Sequence, residues 1–280
     1  MLAYADKWAK MRGIMTALMM WKRSARAIVA ALAMLGLAVP AGAMRVSPMV
    51  VEMESRGGDA VARIEVQNVN PGNLAFETRI YKMTFDANGN IVETPADDNF
   101  LVFPPQGVLP AGGRQVIRVQ WVGAPDLAAS EAYYISVNQL PVELAPSTSD
   151  SIGVQVQVLY NMRALAVVAP PGAKPNVDVV SARSAMVQLP AEGQAKEAAP
   201  PVEVVEVTLR NTGRRHAMMS NFGWRLEGSD TKGQWLRVDV SAEELNRAVG
   251  TGYVPALGER TFYLPVSGFG AEPISLSFTQ

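Results

Sequence analysis

Ala60-Val-Ala-Arg-Ile-Glu-Val-Gln-Asn68 alternates apolar with polar residues at a period of two, the pattern of a strand with one face buried and the other in water. Arg45-Val-Ser-Pro-Met-Val-Val-Glu-Met53 precedes it with the same alternation, and Ser55-Arg-Gly-Gly-Asp59 between them is a turn. On the other side, Asn70-Pro-Gly-Asn73 and Asp86-Ala-Asn-Gly-Asn90 bracket a long strand from Leu74 to Phe85. Gly, Pro, Asn and Asp supply the backbone conformations that reverse a chain. Phe100-Leu-Val-Phe103 runs into Pro104-Pro105, which ends pairing because proline has no N–H to donate. Strands over 114–121, 131–141 and 152–168 complete the series. About seven short strands with regular turns and no helical periodicity describe an all-β, immunoglobulin-like sandwich.

The first domain thus spans 44–169, and Pro170-Pro171-Gly172 divides it from a second β-sandwich domain over 170–280. That second domain opens with a strand over 176–186, followed by a Pro/Ala/Glu-rich insertion at 188–201 with little capacity to pack. Val202-Glu-Val-Val-Glu-Val-Thr-Leu-Arg-Asn211 then ends in Asn-Thr-Gly, much as Ile64-Glu-Val-Gln-Asn68 ends in the first domain. Segments around Trp224, Trp235, Phe262 and Ile274 supply the remaining strands. Ser241 followed by Glu244 is a capping signal, so 241–249 is the one helical turn expected.

Ahead of the first strand, Lys22-Arg-Ser-Ala-Arg26 leads into an apolar run from Ala27 to about Val39 and then Pro40-Ala-Gly-Ala43. A basic start, a short apolar stretch and a small-x-small ending describe a secretory signal. Residues 1–43 are therefore an N-terminal extension plus signal peptide, with translation starting at Met15, Met19 or Met20 and the exported chain beginning near Met44 in the periplasm. The apolar run falls short of the ~20 residues of a membrane span, so no membrane insertion is expected after cleavage. Roughly 235 residues remain, enough for two cores. Cysteine is absent, so neither disulfides nor thiol chemistry contributes.

Twenty-five Lys and Arg against 26 Asp and Glu, interspersed, leave no electrostatic footprint for nucleic acid. His216 is the single histidine, beside Arg214 and Arg215 in a turn. With no second imidazole or thiol there is no zinc set and no triad, and a surface position is expected for it. Asp97-Asp98 is an acidic pair in a loop and does not by itself make a glycosidase site. Gly57-Gly58 and Gly112-Gly113 are turn glycines, since neither opens a helix after a strand. The chain reads as a non-enzyme without cofactor or metal.

One stretch has the chemistry of a binding device. In Ile152-Gly-Val-Gln-Val-Gln-Val-Leu-Tyr160, residues Ile152, Val154, Val156 and Val158 share a face, and odd spacing places Arg163 on the opposite one. An exposed strand of this kind adds a partner strand through backbone hydrogen bonds while its alternate side chains fill pockets. Arg45 and Arg163, at strand ends, carry guanidinium groups that hold carboxylates through forked bonds. The same valines would equally line the protein's own core, and either arginine alone would equally be a solvated residue.

Several blocks occur in a telling order: Arg45-Val-Ser-Pro, the strand end Gln67-Asn68, Pro104-Pro105, Leu109-Pro-Ala-Gly-Gly-Arg-Gln-Val-Ile-Arg118, and Glu131-Ala-Tyr-Tyr followed by Gln139-Leu-Pro141. Together they make 44–170 resemble the periplasmic chaperones of the chaperone–usher pilus pathway, closest to the divergent, archaic type; over 171–280 the resemblance rests on size and β content. It implies two immunoglobulin-like domains in a boomerang arrangement, a donor strand at Ile152, Val154, Val156 and Val158, and anchoring of a subunit's C-terminal carboxylate by Arg45 and Arg163. It also implies an interdomain ionic network containing Arg118 and Glu131. The implied partners are pilus or fimbrial subunits and an outer-membrane usher, and a free donor strand is also an edge for self-association. The short polar loop at 141–150 implies the group that builds rod-forming or complex pili. The rival reading is an exported structural fibre subunit or adhesin, which would carry a free extension directly after the signal site.

Overall fold

The computed structural model describes residues 44–86, 89–141, 158–188 and 200–279. The signal-peptide reading, the 142–150 loop and most of the insertion lie outside the described residues. The chain from residue 44 forms β1 (Met44–Ser47), β2 (Val50–Glu54), β3 (Val61–Asn68), β4 (Leu74–Phe85), β5 (Ile91–Pro95), β6 (Phe100–Phe103), β7 (Gln106–Leu109), β8 (Arg114–Trp121), β9 (Glu131–Gln139) and β10 (Asn161–Ala169). One sheet has the order β1-β3-β8-β6. The other runs β2-β10-β9-β4-β5, with β7 also paired to β4.

The sequence reading joins residues 45–53 into one strand, and the structure divides it. Met44–Ser47 pairs antiparallel with β3 in the first sheet, and Val50–Glu54 pairs parallel with β10 in the second. Pro48 lacks the N–H needed to extend the first ladder, so the chain crosses between sheets there. The alternation then places Met44, Val46, Ile64, Val66, Ile117 and Val119 from the first sheet against Phe76, Ile80, Tyr133, Ile135 and Val137 from the second. Phe100 sits edge-on to Trp121 and Tyr133, with ring centroids 5.1 and 4.9 Å away. Buried Val, Ile and Phe side chains of this kind each contribute about 1.5–3 kcal/mol.

The second half comprises β11 (Val177–Val187), β12 (Val202–Asn211), β13 (Ala217–Met218), β14 (Gly223–Ser229), β15 (Trp235–Val240), the helix α1 (Ala242–Val249), β16 (Tyr253–Val254), β17 (Gly258–Leu264) and β18 (Ser275–Thr279). Sheets β11-β12-β17 and β15-β14-β18 enclose Val207, Leu209, Trp224, Leu226 and Phe262. Trp224 donates its indole N–H to the Met219 carbonyl at 3.0 Å. Ser241 and Glu244 form the capping box expected from the sequence, each bonding the other's backbone amide. The two sandwiches meet over a small apolar cluster: Met83, Ala132, Leu165 and Val167 from the first pack with Met218 and Tyr253 from the second.

Candidate functional site

The backbone of β10 defines the site. Its antiparallel register with β9 runs from Asn161↔Asn138 to Val168↔Glu131, and the Gln139 amide donates to the Tyr160 carbonyl at 2.8 Å. Residues 160, 162 and 164 therefore point their backbone groups at β9, and alternation turns those of Asn161 and Arg163 to the other side. On that side β2 arrives late: the Leu165 amide bonds Met49, and the parallel register starts at Leu165↔Val50. Among the described residues, the edge at Asn161 and Arg163 has no strand beside it. Val158 and Leu159, just ahead of it, are 59% and 45% exposed. Ile152, Val154 and Val156, the other donor-strand residues expected, lie outside the described residues.

Arg163 projects outward, because its neighbour Ala164 is fully buried in the first core. Its guanidinium lies 5.9 Å from the centre of the Tyr134 ring and is ion-paired with Glu93 on β5. The Tyr134 phenol is pushed above its ordinary pKa, first by burial and then by Glu93, with Arg260 and Arg163 opposing. Arg260, from β17 of the second sandwich, stacks 5.2 Å over Phe85 and 5.0 Å over Phe262 and donates to the Tyr253 carbonyl. Burial lowers its pKa. Two guanidinium groups thus approach Tyr134 where the sandwiches meet.

Arg45 is elsewhere. It is exposed on β1 between the buried Met44 and Val46, so it leaves the outer face of the first sheet, whereas Arg163 leaves the outer face of the second. The structure does not bring the two expected anchor residues together. Nor does it join Arg118 to Glu131. Arg118 is exposed on the first sheet and bonds Gln120 at 3.1 Å, while Glu131 on the second pairs with Lys82 at 2.8 Å and accepts the Tyr133 hydroxyl at 2.5 Å. Burial, reinforced by that bond to Glu131, raises the Tyr133 pKa.

The polar contacts between the sandwiches come from residues 214–216. Arg214 donates to the carbonyls of Ala128 and Leu127 at 2.6 and 3.1 Å, and its own carbonyl accepts from the Ser130 amide. The His216 amide donates to Ser130 Oγ at 2.8 Å. Arg215 meets Glu52 of β2 at 2.6 Å. His216 is not a surface residue, contrary to the sequence expectation: it is 3% exposed, stacked 5.9 Å from Tyr253, with Nε2 3.5 Å from Glu52. Burial pulls its pKa down to about 4, with Glu52 opposing and Arg215 assisting. Among the described residues its buried Nδ1 has no hydrogen-bond partner, so an N–H there would go unsatisfied. No local pattern announces this contact, since Glu52 and Arg215 stand 163 positions apart.

No family model and no curated protein matches the chain. Its structure is similar to those of pilus chaperones. One is from the complex of the Salmonella enterica SafA pilin with the SafB chaperone, at 14% identity and a TM-score of 0.49, covering 86% of this chain and 98% of that one. Another is from the CsuC–CsuE chaperone and tip-subunit pre-assembly complex of the archaic Csu pili of Acinetobacter baumannii, at 13% identity and 0.45, covering 79% and 89%. A third is the Escherichia coli chaperone DraB, at 12% identity and 0.46, covering 85% and 96%.

Proposed function

We propose that the protein is a periplasmic, non-enzymatic assembly chaperone that lends the open edge of β10 to an incomplete β-sandwich subunit of a pilus or fimbria and delivers it to an outer-membrane usher. The observation that carries this reading is the late arrival of β2, which leaves backbone donors and acceptors of Asn161 and Arg163 facing outward beside a β9 that continues past them. Such an edge binds a strand by main-chain hydrogen bonds. The residues ahead of it, of which Val158 is exposed, supply the alternating side chains for the partner's groove. Arg163 would take the subunit's terminal carboxylate, exchanging Glu93 for it, whereas Arg45 stands on the wrong face to share that carboxylate.

The test is co-expression of the full chain with a candidate subunit and isolation of a 1:1 complex. Asn161→Pro removes an outward N–H without touching the β9 ladder and should abolish the complex while leaving the chain folded. Arg163→Ala should weaken it about tenfold or more, and Arg45→Ala should not. If both Asn161→Pro and Arg163→Ala bind like the parent, the lent-edge reading is wrong. In the absence of a subunit the same edge should support weak self-association, which Asn161→Pro would remove in sedimentation experiments.

A further inference from the structure

We infer that the outer face of the β1-β3-β8-β6 sheet is a second docking surface, for an extended polypeptide segment carrying acidic side chains in the pattern acid, any, apolar, any, acid. This inference is independent of the lent edge, which lies on the other sheet.

The strand registers lay the face out as a grid. Arg45 pairs with Gln67, and Gln67 with Arg114, so one row holds two arginines. The next row holds Glu65 opposite Val116, and the row after it sets Arg63 directly opposite Arg118, with Phe103 on the far side of Arg118. Alternation turns all of these side chains outward, because Val46, Ile64, Val66, Ile117 and Val119 between them are buried. The face therefore concentrates four guanidinium groups against one carboxylate in a chain whose formal net charge is only −1. Arg114 engages Glu65 at 3.5 Å. Among the described residues, Arg45, Arg63 and Arg118 have no carboxylate within salt-bridge distance.

Two features set this apart from an ordinary solvated sheet face. Like charges directly opposite in a ladder destabilise it, so the Arg63–Arg118 pair works against the fold unless an anion lies between the two. The cations are also interleaved with apolar surface: Phe103 is 70% exposed, Leu101 57% and Val116 47%. A simple polyanion has no use for that surface, whereas a polypeptide does. The geometry then selects the ligand. Arg114 and Arg118 are four residues apart on one strand, about 13 Å at ~3.3 Å per residue, with Val116 midway. A partner strand lying along them places carboxylates four residues apart on its own near face and an apolar side chain over Val116. The end at Arg45 and Arg114 is a polar concavity of about 200 Å³, also lined by Ser47, Glu65 and Gln67, of a size to accept a carboxylate.

The test uses the full chain and a short labelled peptide with two glutamates four residues apart and leucine between them. Binding should be measurable, should be lost with the glutamine counterpart, and should fall steeply as salt rises from about 0.1 to about 1 M, which shortens the screening length from about 10 to about 3 Å. Arg63→Gln and Arg118→Gln should each weaken it about tenfold without lowering the melting temperature, because each relieves the cross-strand repulsion. Arg163→Ala should change nothing. The double reversal Arg114→Glu with Arg118→Glu should transfer preference to the corresponding lysine peptide. Equal affinity for the glutamate and glutamine peptides, unchanged binding in both single variants, or tight binding of a heparin fragment with none of the peptide, would overturn the inference.

Discussion

Each sandwich carries the same corner, and the two corners are used differently. Asn68 ends β3 and Asn211 ends β12; both are fully buried. In each, Oδ1 accepts the backbone amide two residues on, from Asn70 and Gly213 at 2.9 Å. In each, Nδ2 donates to the carbonyl four residues on, Gly72 at 2.8 Å and Arg215 at 2.7 Å. Asn68 then spends its remaining donor capacity within its own sandwich, on the carbonyls of Leu109 and Pro110. Asn211 also accepts from the Asn176 amide, and the loop that it shapes is the one carrying Arg214, Arg215 and His216 to the neighbouring sandwich. Gly213 fits there because a Cβ would stand 2.4 Å from the Lys174 carbonyl oxygen. A local side-chain device thus closes a loop wherever it occurs. Whether the loop ends as a lid on its own core or as a joint depends on what lies across from it.

The comparison is sharpest where either asparagine is removed. Asn68→Ala and Asn211→Ala each strand several buried backbone groups, and each should cost about 3 kcal/mol in denaturant unfolding. The second should also separate the unfolding of the two sandwiches, seen as two transitions by calorimetry, whereas the first should not. Removing the joint without the corner is the next step down. Arg214→Ala deletes two bonds to the Leu127–Ala128 carbonyls, and should cost about 1–2 kcal/mol with both cores intact.

Acid offers a gentler probe of the same joint. The His216 pKa in the folded chain is about 4, below the ordinary unfolded value of about 6.5, so the unfolded chain binds the extra proton between them. Stability is then full well above about pH 6.5 and falls as pH drops through about 6.5 toward about 4, by about 1–2 kcal/mol at about pH 5.5. A His216→Gln variant should show a flatter melting-temperature profile across that window, and an unchanged profile would mean that the ring is not held neutral. The smallest effect belongs to the exposed pair Arg183–Glu206, where the arginine is 63% exposed; Arg183→Ala should move stability by less than about 0.5 kcal/mol.

Much of this was legible in advance. The period-two alternation of β3, β8 and β12 settled their buried faces, because a strand's side-chain direction is fixed by the residue before it. The asparagine endings, the break at Pro104-Pro105 and the Ser241–Glu244 cap are equally local, each the business of a few consecutive residues. The passage of the chain from one sheet to the other at Pro48 was not legible, since proline can end a ladder without saying where the next one starts. The burial of His216 was not legible for the same reason: it is supplied by Tyr253 and by Glu52 on β2, both far away in the chain, while the Arg214-Arg215 pair just before it reads as a surface turn.

The arginines mark the boundary between the two kinds of knowledge. Sequence alone placed Arg45 and Arg163 at strand ends and Arg163 on the face opposite the valines that precede it, because parity is a property of neighbouring residues. Only the tertiary structure decided that Arg45 and Arg118 share a face with Arg63 and Arg114 while Arg163 leans over Tyr134 toward Glu93. Charge interactions act through space over a few ångströms, and which groups come within that reach is set by strand register and sheet membership, which are nonlocal.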